Sequence, residues 1–302
     1  MSELSASPAS HLSNTPNHVR HFQWNDDYIE LLSHRLELAA VRTLVEVGSG
    51  LGHLAALFGL YMKPGSQVRG FDPDPAVVAE ATARAAERPF SVGYRFEQAD
   101  LHRLPMGDGE ADLVISHHVL ANVPDPAAVL AEMVRLVRPG GRVVAFEPNQ
   151  LVQALVLDSD SAGYPLETRL ELVRYQAFYE AGKRALGRGH DSIGDALPQL
   201  FLEAGLRQVE VRISDKAGAL VPPYDTEEKR ARVAELLAWQ DEFEANADLI
   251  RACFAAGGAT PADWEAYRRL ELAQAARIRE GLAAGTYVHP GGMLTYIVSG
   301  AR

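Results

Sequence analysis

Along this 302-residue chain the hydrophobic positions follow two rhythms. Between about residues 38 and 150, short apolar runs of strand length alternate with stretches of helical period. The first run, "TLVEV" (43–47), stops at glycines. After it Leu54, Leu57, Phe58 and Tyr61 fall at i, i+3, i+4 and i+7, one face of a helix. Residues 66–72 end on Asp72 and lead into an alanine-rich stretch opened by Pro75, a favoured first-turn residue. Residues 93–100 alternate and 111–119 form another buried run. Leu130, Met133, Val134 and Val137 make the stripe of a helix expected to run to the breaker Pro139-Gly140-Gly141. Residues 142–147 read as a fifth strand. Strands separated by helices predict parallel pairing through right-handed crossovers, an α/β doubly wound sheet.

Beyond residue 150 the rhythm changes. Residues 151–186 are mainly of helical period, 193–206 and 207–214 read as a helix and a strand, and 293–300 as a last strand. Between them, 220–285 is a helical block in which Thr260, Pro261 and Asp263 supply a capping hydroxyl, a first-turn proline and an early acid. The prediction is a Rossmann-like, seven-stranded sheet with helices on both faces. Its core spans 38–219 and 286–302, including the helical segment 151–186. A cap helix at 19–37 and the insertion at 220–285 are expected to form a lid. The Ser/Pro/Asn-rich residues 1–18 read as a disordered tail.

Composition narrows the function classes. With 40 acids against 29 Lys and Arg, the net charge of −11 would repel a polyphosphate, so a nucleic-acid partner is not expected. No apolar run approaches the roughly 18 residues of a membrane span, so no membrane partner is expected. The single cysteine, Cys253, leaves no internal disulfide and no multi-cysteine metal site, and it fits a reducing cytoplasm. No metal site is expected.

In doubly wound sheets ligands sit at the carboxyl ends of the strands. That edge collects Glu46 to Gly52, Asp72, Asp100, Ser116 and Glu147. A glycine turn between strand and helix lets a ligand approach bare backbone and amides. A dinucleotide site wants G-x-G-x-x-G, whereas Gly48, Gly50 and Gly52 follow G-x-G-x-G, with His53 where the dinucleotide motif has its last glycine.

Five segments together resemble the class I S-adenosylmethionine-dependent methyltransferases, in the branch acting on small molecules. "VEVGSGLGHLA" is similar to that family's first motif, "VRGFDPDP" to its second-strand acid and "FEQADLHRLPM" to its adenine-site segment. "ADLVISHHVLANVPDP" resembles its fourth strand and loop, and "LVRPGGRVVAFEPN" its fifth strand. The resemblance covers residues 40–150 and implies S-adenosylmethionine as cofactor, S-adenosylhomocysteine as product and a small-molecule methyl acceptor. It implies that Gly48, Ser49, Gly50 and Gly52 approach the methionyl and sugar parts. Glu46 would meet the cofactor's ammonium, or else cap loop amides. Asp72, with Pro73 beside it, would accept the ribose hydroxyls. Asp100 and the Leu101 amide would face adenine, and Ser116 the sulfonium. Asp74 reads as a helix cap.

His117 is the candidate catalytic base, or a polar wall of the pocket. Glu147-Pro148-Asn149 is a candidate for positioning an amine or hydroxyl. Tyr175 and Tyr179, His190-Asp191 and His289 are further candidates, each also readable as packing or loop capping. "VPPY" (221–224) is discounted as a nucleic-acid amino-methyltransferase signature, because it does not follow the fourth strand. Two other readings remain open: an NAD(P)-dependent oxidoreductase of Rossmann type, and a non-catalytic S-adenosylmethionine-binding protein.

Overall fold

The first apolar run is β1 (Thr43–Val47), and the glycines after it deliver the chain into α2 (His53–Gly59). The computed structural model describes residues 23–87, 91–292 and 294–302. The expected tail, 1–18, and the start of the expected cap helix lie outside these residues. β2 (Gln67–Asp72), α3 (Pro75–Ala85), β3 (Gly93–Gln98), β4 (Ala111–His117), α4 (Pro126–Leu136) and β5 (Val137–Asn149) follow in order. α6 (Leu197–Glu203), β6 (Arg207–Ile213) and β7 (Leu294–Ala301) complete one seven-stranded sheet of order β3-β2-β1-β4-β5-β7-β6. β1 pairs in parallel with both β2 and β4, β4 with β5 in parallel, and β6 with β7 antiparallel. The strand order reverses between β1 and β4, which places the ligand edge where β1, β2 and β4 end.

By contacts the chain divides into two compact units. The α/β unit comprises Trp24–Pro148, Ile193–Asp215 and Thr295–Arg302. Its sheet is covered on one face by Val129, Leu130, Met133 and Leu136 of α4, with Leu197 and Phe201 of α6. On the other face lie Leu54 and Phe58 of α2, with Trp24 and α1 (Asp26–Arg35). α1 buries Tyr28, Ile29 and Leu32, and burying one such side chain contributes roughly 1.5–3 kcal/mol.

The helical unit comprises Asn149–Ser192 and Lys216–Leu294. It holds α5 (Leu166–Ala185), α7 (Glu227–Ala245), α8 (Ala247–Ala256) and α9 (Pro261–Ala284). Residues 151–186, expected with the core, thus group with the insertion instead. An aromatic cluster of Tyr175, Phe243, Phe254 and Trp264 fills this unit. Among the described residues no helix is long and apolar enough to cross a membrane.

Helix ends follow local chemistry where a cap exists. The Asp74 carboxylate accepts from the Ala76 and Val77 amides at 2.8 and 3.4 Å, as expected of the residue before Pro75. Thr260 and Asp263 form a reciprocal capping box on α9. α4 differs from expectation: it ends at Leu136, and Val137 is already extended. The Arg302 guanidinium donates to the Arg135 and Val137 carbonyls at 3.0 and 2.6 Å, satisfying acceptors that another helical turn would have used.

Candidate active site

The glycine turn requires a backbone only glycine adopts readily. Gly48, Gly50 and Gly52 have φ of 66°, 49° and 68°, all left-handed. A Cβ at Gly48 would also stand 2.4 Å from Val119 Cγ2. Three amides are fixed in sequence: Ser49 donates to the Phe71 carbonyl at 2.9 Å, Gly50 to Asp72 Oδ2 at 2.9 Å and Gly52 to the Ser49 carbonyl at 2.8 Å. Asp72, at the end of β2, also accepts from the Asp74 amide through Oδ1 at 3.0 Å. Its carboxylate therefore stitches the β1 turn to the β2 turn. A carboxylate has about four acceptor positions, so these amides leave capacity for further hydroxyl donors.

Glu46 is buried in β1, its register neighbours Gly70 of β2 and Ile115 of β4. Ser49 and Ser116 are buried too, and among the described residues their hydroxyls have no hydrogen-bond partner. An unpaired buried hydroxyl costs about 1–3 kcal/mol, so each suits a polar ligand. These hydroxyls, the glycine backbone and the acids of β1 and β2 fit a cofactor with an ammonium, a polar chain and a ribose.

The adenine-side segment is more open. Pro73, Gln98, Ala99 and Asp100 line one shallow groove, with Gln98 Nε2 donating to the Pro73 carbonyl at 3.1 Å. Asp100 is exposed, and its Oδ1 accepts from the His102 amide at 3.0 Å and lies 2.9 Å from His102 Nδ1. Those two contacts hold its carboxyl below the usual value, so it stays an ionised acceptor. Leu101 is buried and belongs to the sheet core.

At the end of β4, His117 is half-buried in an aromatic setting. Its ring lies 5.6 Å from Trp24, 4.4 Å from His118 and 6.1 Å edge-on from Phe146. His118 has φ of 55°, and its amide donates to the Phe146 carbonyl at 2.9 Å, turning the chain sharply after the strand.

Glu147 departs from expectation. Rather than facing an acceptor, its carboxylate accepts from the amides of Val119, Leu120 and Ala121 at 3.0, 2.9 and 3.1 Å. The residue is fully buried, and burial pushes its carboxyl up to about 7 against the pull of those amides. It fixes the loop that carries Val119 against Gly48. No local sequence signal shows this, because the donors lie in the loop after β4 and the acceptor on β5.

The remaining candidates lie in the helical unit. Tyr175 is buried in the aromatic cluster, with Tyr179 packed against it. Asp191 pairs with Lys183. The Gly291 amide donates to His289 Nδ1 at 2.9 Å, a loop cap, and burial lowers that ring's proton affinity. "VPPY" leads into α7, with the Tyr224 hydroxyl donating to the Tyr287 carbonyl at 2.6 Å. Sequence reasoning missed Glu271, which burial pushes up to about 7 while the Tyr267 hydroxyl donates to it. One signal was legible: an acid one turn after a tyrosine that faces the aromatic core.

A family of methyltransferase domains matches residues 45–145, the stretch from β1 to β5 that builds this edge. Over those residues the chain is similar to methyltransferase domains. An uncharacterized 37.1 kDa protein of transposon TN4556 from Streptomyces fradiae is 30% identical over 178 residues, 59% of this chain and 47% of that protein. The chain therefore spans about half that relative's length. A ubiquinone biosynthesis O-methyltransferase from Xanthomonas oryzae pv. oryzae is 29% identical over 206 residues, 68% of this chain and 76% of that enzyme. Among solved structures, the [4+2]-cyclase SpnF superposes with a TM-score of 0.53 at 18% identity, covering 92% of this chain and 81% of that one. That likeness is one of fold, and a fold can serve several chemistries.

Proposed function

We propose that this protein transfers the methyl group of S-adenosylmethionine to a small-molecule acceptor. The observation that carries the proposal is the Asp72 carboxylate locked onto the Gly50 amide beside three left-handed glycines. That arrangement presents bare backbone and a fixed acceptor side by side. In the methyltransferase reading, Glu46 holds the donor's ammonium and the backbone of Gly48, Ser49, Gly50 and Gly52 lies along its methionyl and sugar parts. Asp72 accepts from the ribose hydroxyls with Pro73 against the sugar. Asp100 and the Leu101 amide meet adenine, and Ser116 lies towards the reacting end.

Bound S-adenosylmethionine supplies a carbon activated by a positive sulfur, open to in-line displacement by a nucleophile. This chain's part is then mainly to orient donor and acceptor and to exclude water. His117 is the group proposed to accept a proton from an acceptor that must lose one, its ring held by Trp24 and Phe146. The cap helix at 19–37 and the 220–285 segment are proposed to form the lid that selects the acceptor. The negative net charge supports an acceptor other than nucleic acid.

Calorimetry with S-adenosylhomocysteine against NAD and NADP tests the reading. S-adenosylhomocysteine alone should bind, and NAD binding in its place would overturn the proposal. Methyl transfer from labelled S-adenosylmethionine to a panel of phenols, amines and thiols should then give a labelled small molecule. Tight cofactor binding with no transfer to any of them would favour a non-catalytic role.

A further inference from the structure

Among the described residues β6 is the last strand of the sheet and pairs only with β7. At its end the Ser214 amide donates to the Thr295 carbonyl at 2.9 Å. Residues in an antiparallel ladder alternate between facing the partner strand and facing away. Ile213 and Val211 therefore turn their N–H and C=O groups away from β7. The Tyr28 hydroxyl, which donates to the Ile213 carbonyl at 2.7 Å, reaches that outer side from α1. Beyond this contact and a bulge between Arg207 and Glu210, the described residues give the edge little protection, since "RQVEVRI" (207–213) holds no proline or lysine. Its side chains are unusually bare and apolar for an edge: Val211 is 47% exposed and Ile213 53%. They share a face with half-buried Val209, while Glu210 and Arg212, 2.7 Å apart, share the other.

We propose that β6 pairs antiparallel with β6 of a second copy of this chain, about a two-fold axis through Val211, so that one sheet runs through a homodimer. The strand is self-complementary in that register alone. Outward-facing residues must oppose outward-facing residues, which allows only every second register. Centring on Val211 sets Val209 opposite Ile213, Val211 opposite itself and Glu210 opposite Arg212 of the second copy. Apolar then meets apolar on one face, and opposite charges meet twice on the other. The next allowed register on either side would set Glu210 against Glu210 or Arg212 against Arg212, pairings that destabilise a sheet. Val211 of each copy would exchange two backbone hydrogen bonds with its mate. The Ile213 carbonyl keeps a second lone pair beside Tyr28.

Sedimentation velocity on the intact protein at micromolar concentration should show a dimer. Val211→Pro removes only an amide that faces away from β7, so the chain should keep its circular dichroism but sediment as a monomer. Val211→Lys should give the same result without touching the backbone. Glu210→Arg and Arg212→Glu, each alone, should raise the dimer dissociation constant about tenfold by opposing like charges. The two together should restore it to within about threefold, because the pairs re-form with their signs exchanged. A monomeric parent protein, a dimer that survives both Val211 variants, or a double variant no better than the singles would overturn the proposal.

Discussion

Acidic side chains do two kinds of work, and the strand ends of the α/β unit differ in this from the helical unit. At those strand ends several acids hold backbone amides: Glu147 takes three, Asp72 takes those of Gly50 and Asp74, and Asp112, which also pairs with Arg138 at 2.6 Å, takes those of Arg42 and Thr43 at 2.7 and 2.9 Å. In the helical unit Asp158 and Asp263 also accept from amides, but several acids reach across to side chains of other segments. Asp160 accepts from Arg277 of α9 at 2.6 Å, Glu244 of α7 from Arg268 at 2.6 Å, and Asp263 of α9 from Arg174 of α5 at 2.8 Å. A carboxylate on amides fixes loop backbone in one geometry, which a preorganised site at strand ends needs. Cross-links between long exposed side chains contribute little, so the helical unit is held mainly by its aromatic cluster and close helix approach. The contrast teaches that the strand-end turns are fixed through their backbone, whereas the helices are tied to one another through side chains.

Four changes would break or sharpen this contrast. The largest effect is expected at Gly182, where an added Cβ would stand 1.6 Å from the Cys253 carbonyl oxygen and force α5 from α8. Gly182→Ala should destabilise the protein by about 3 kcal/mol in thermal or denaturant unfolding. Its S-adenosylhomocysteine affinity in calorimetry should nevertheless stay within about twofold under folding conditions, since the residues proposed to bind it belong to the other unit. Asp72→Ala comes next. It should weaken S-adenosylhomocysteine binding about 100-fold, because charge-assisted bonds to ligand and turn are lost together. Unchanged affinity would sink the proposed role.

A pH series on Glu147 is the third. Its folded carboxyl, raised from 4.5 to about 7, binds a proton more tightly than in the unfolded chain. The stabilisation from this group is therefore full below the unfolded value and lost as pH rises through about 7. Wild type should lose stability between pH 5 and 8 relative to Glu147→Gln, whose amide cannot titrate; parallel curves would refute this. The smallest effect is expected from Arg268→Ala, which removes a half-exposed cross-link to Glu244. It should cost no more than about 1 kcal/mol in the same unfolding assay.

Much of the α/β unit was legible in the sequence because its signals are local. Apolar runs, glycine turns and the Asp74 and Thr260 caps each act within a few residues, and the strands followed from them. Asp72 was legible as an acid at the end of a strand, but its grip on the Gly50 amide was not. The helical unit was legible as helices but not as a unit. Residues 151–186 pack with α8 through Gly182, and nothing near a glycine in mid-helix announces a partner some 70 positions later.

The sequence by itself determined which segments become strands and helices, where the chain must turn left-handed, and which acids stand at strand ends. Those outcomes rest on steric limits and periodicity that a short window contains. Only the tertiary structure decided what the acids hold. Arg302 ended α4 at Leu136 from the far end of the chain, and Glu147 closed on three amides of a neighbouring strand's loop. It also left β6 at the edge of the sheet. The physical reason is shared: a buried polar group must find a partner wherever the fold brings one, and that partner's position in sequence is unconstrained.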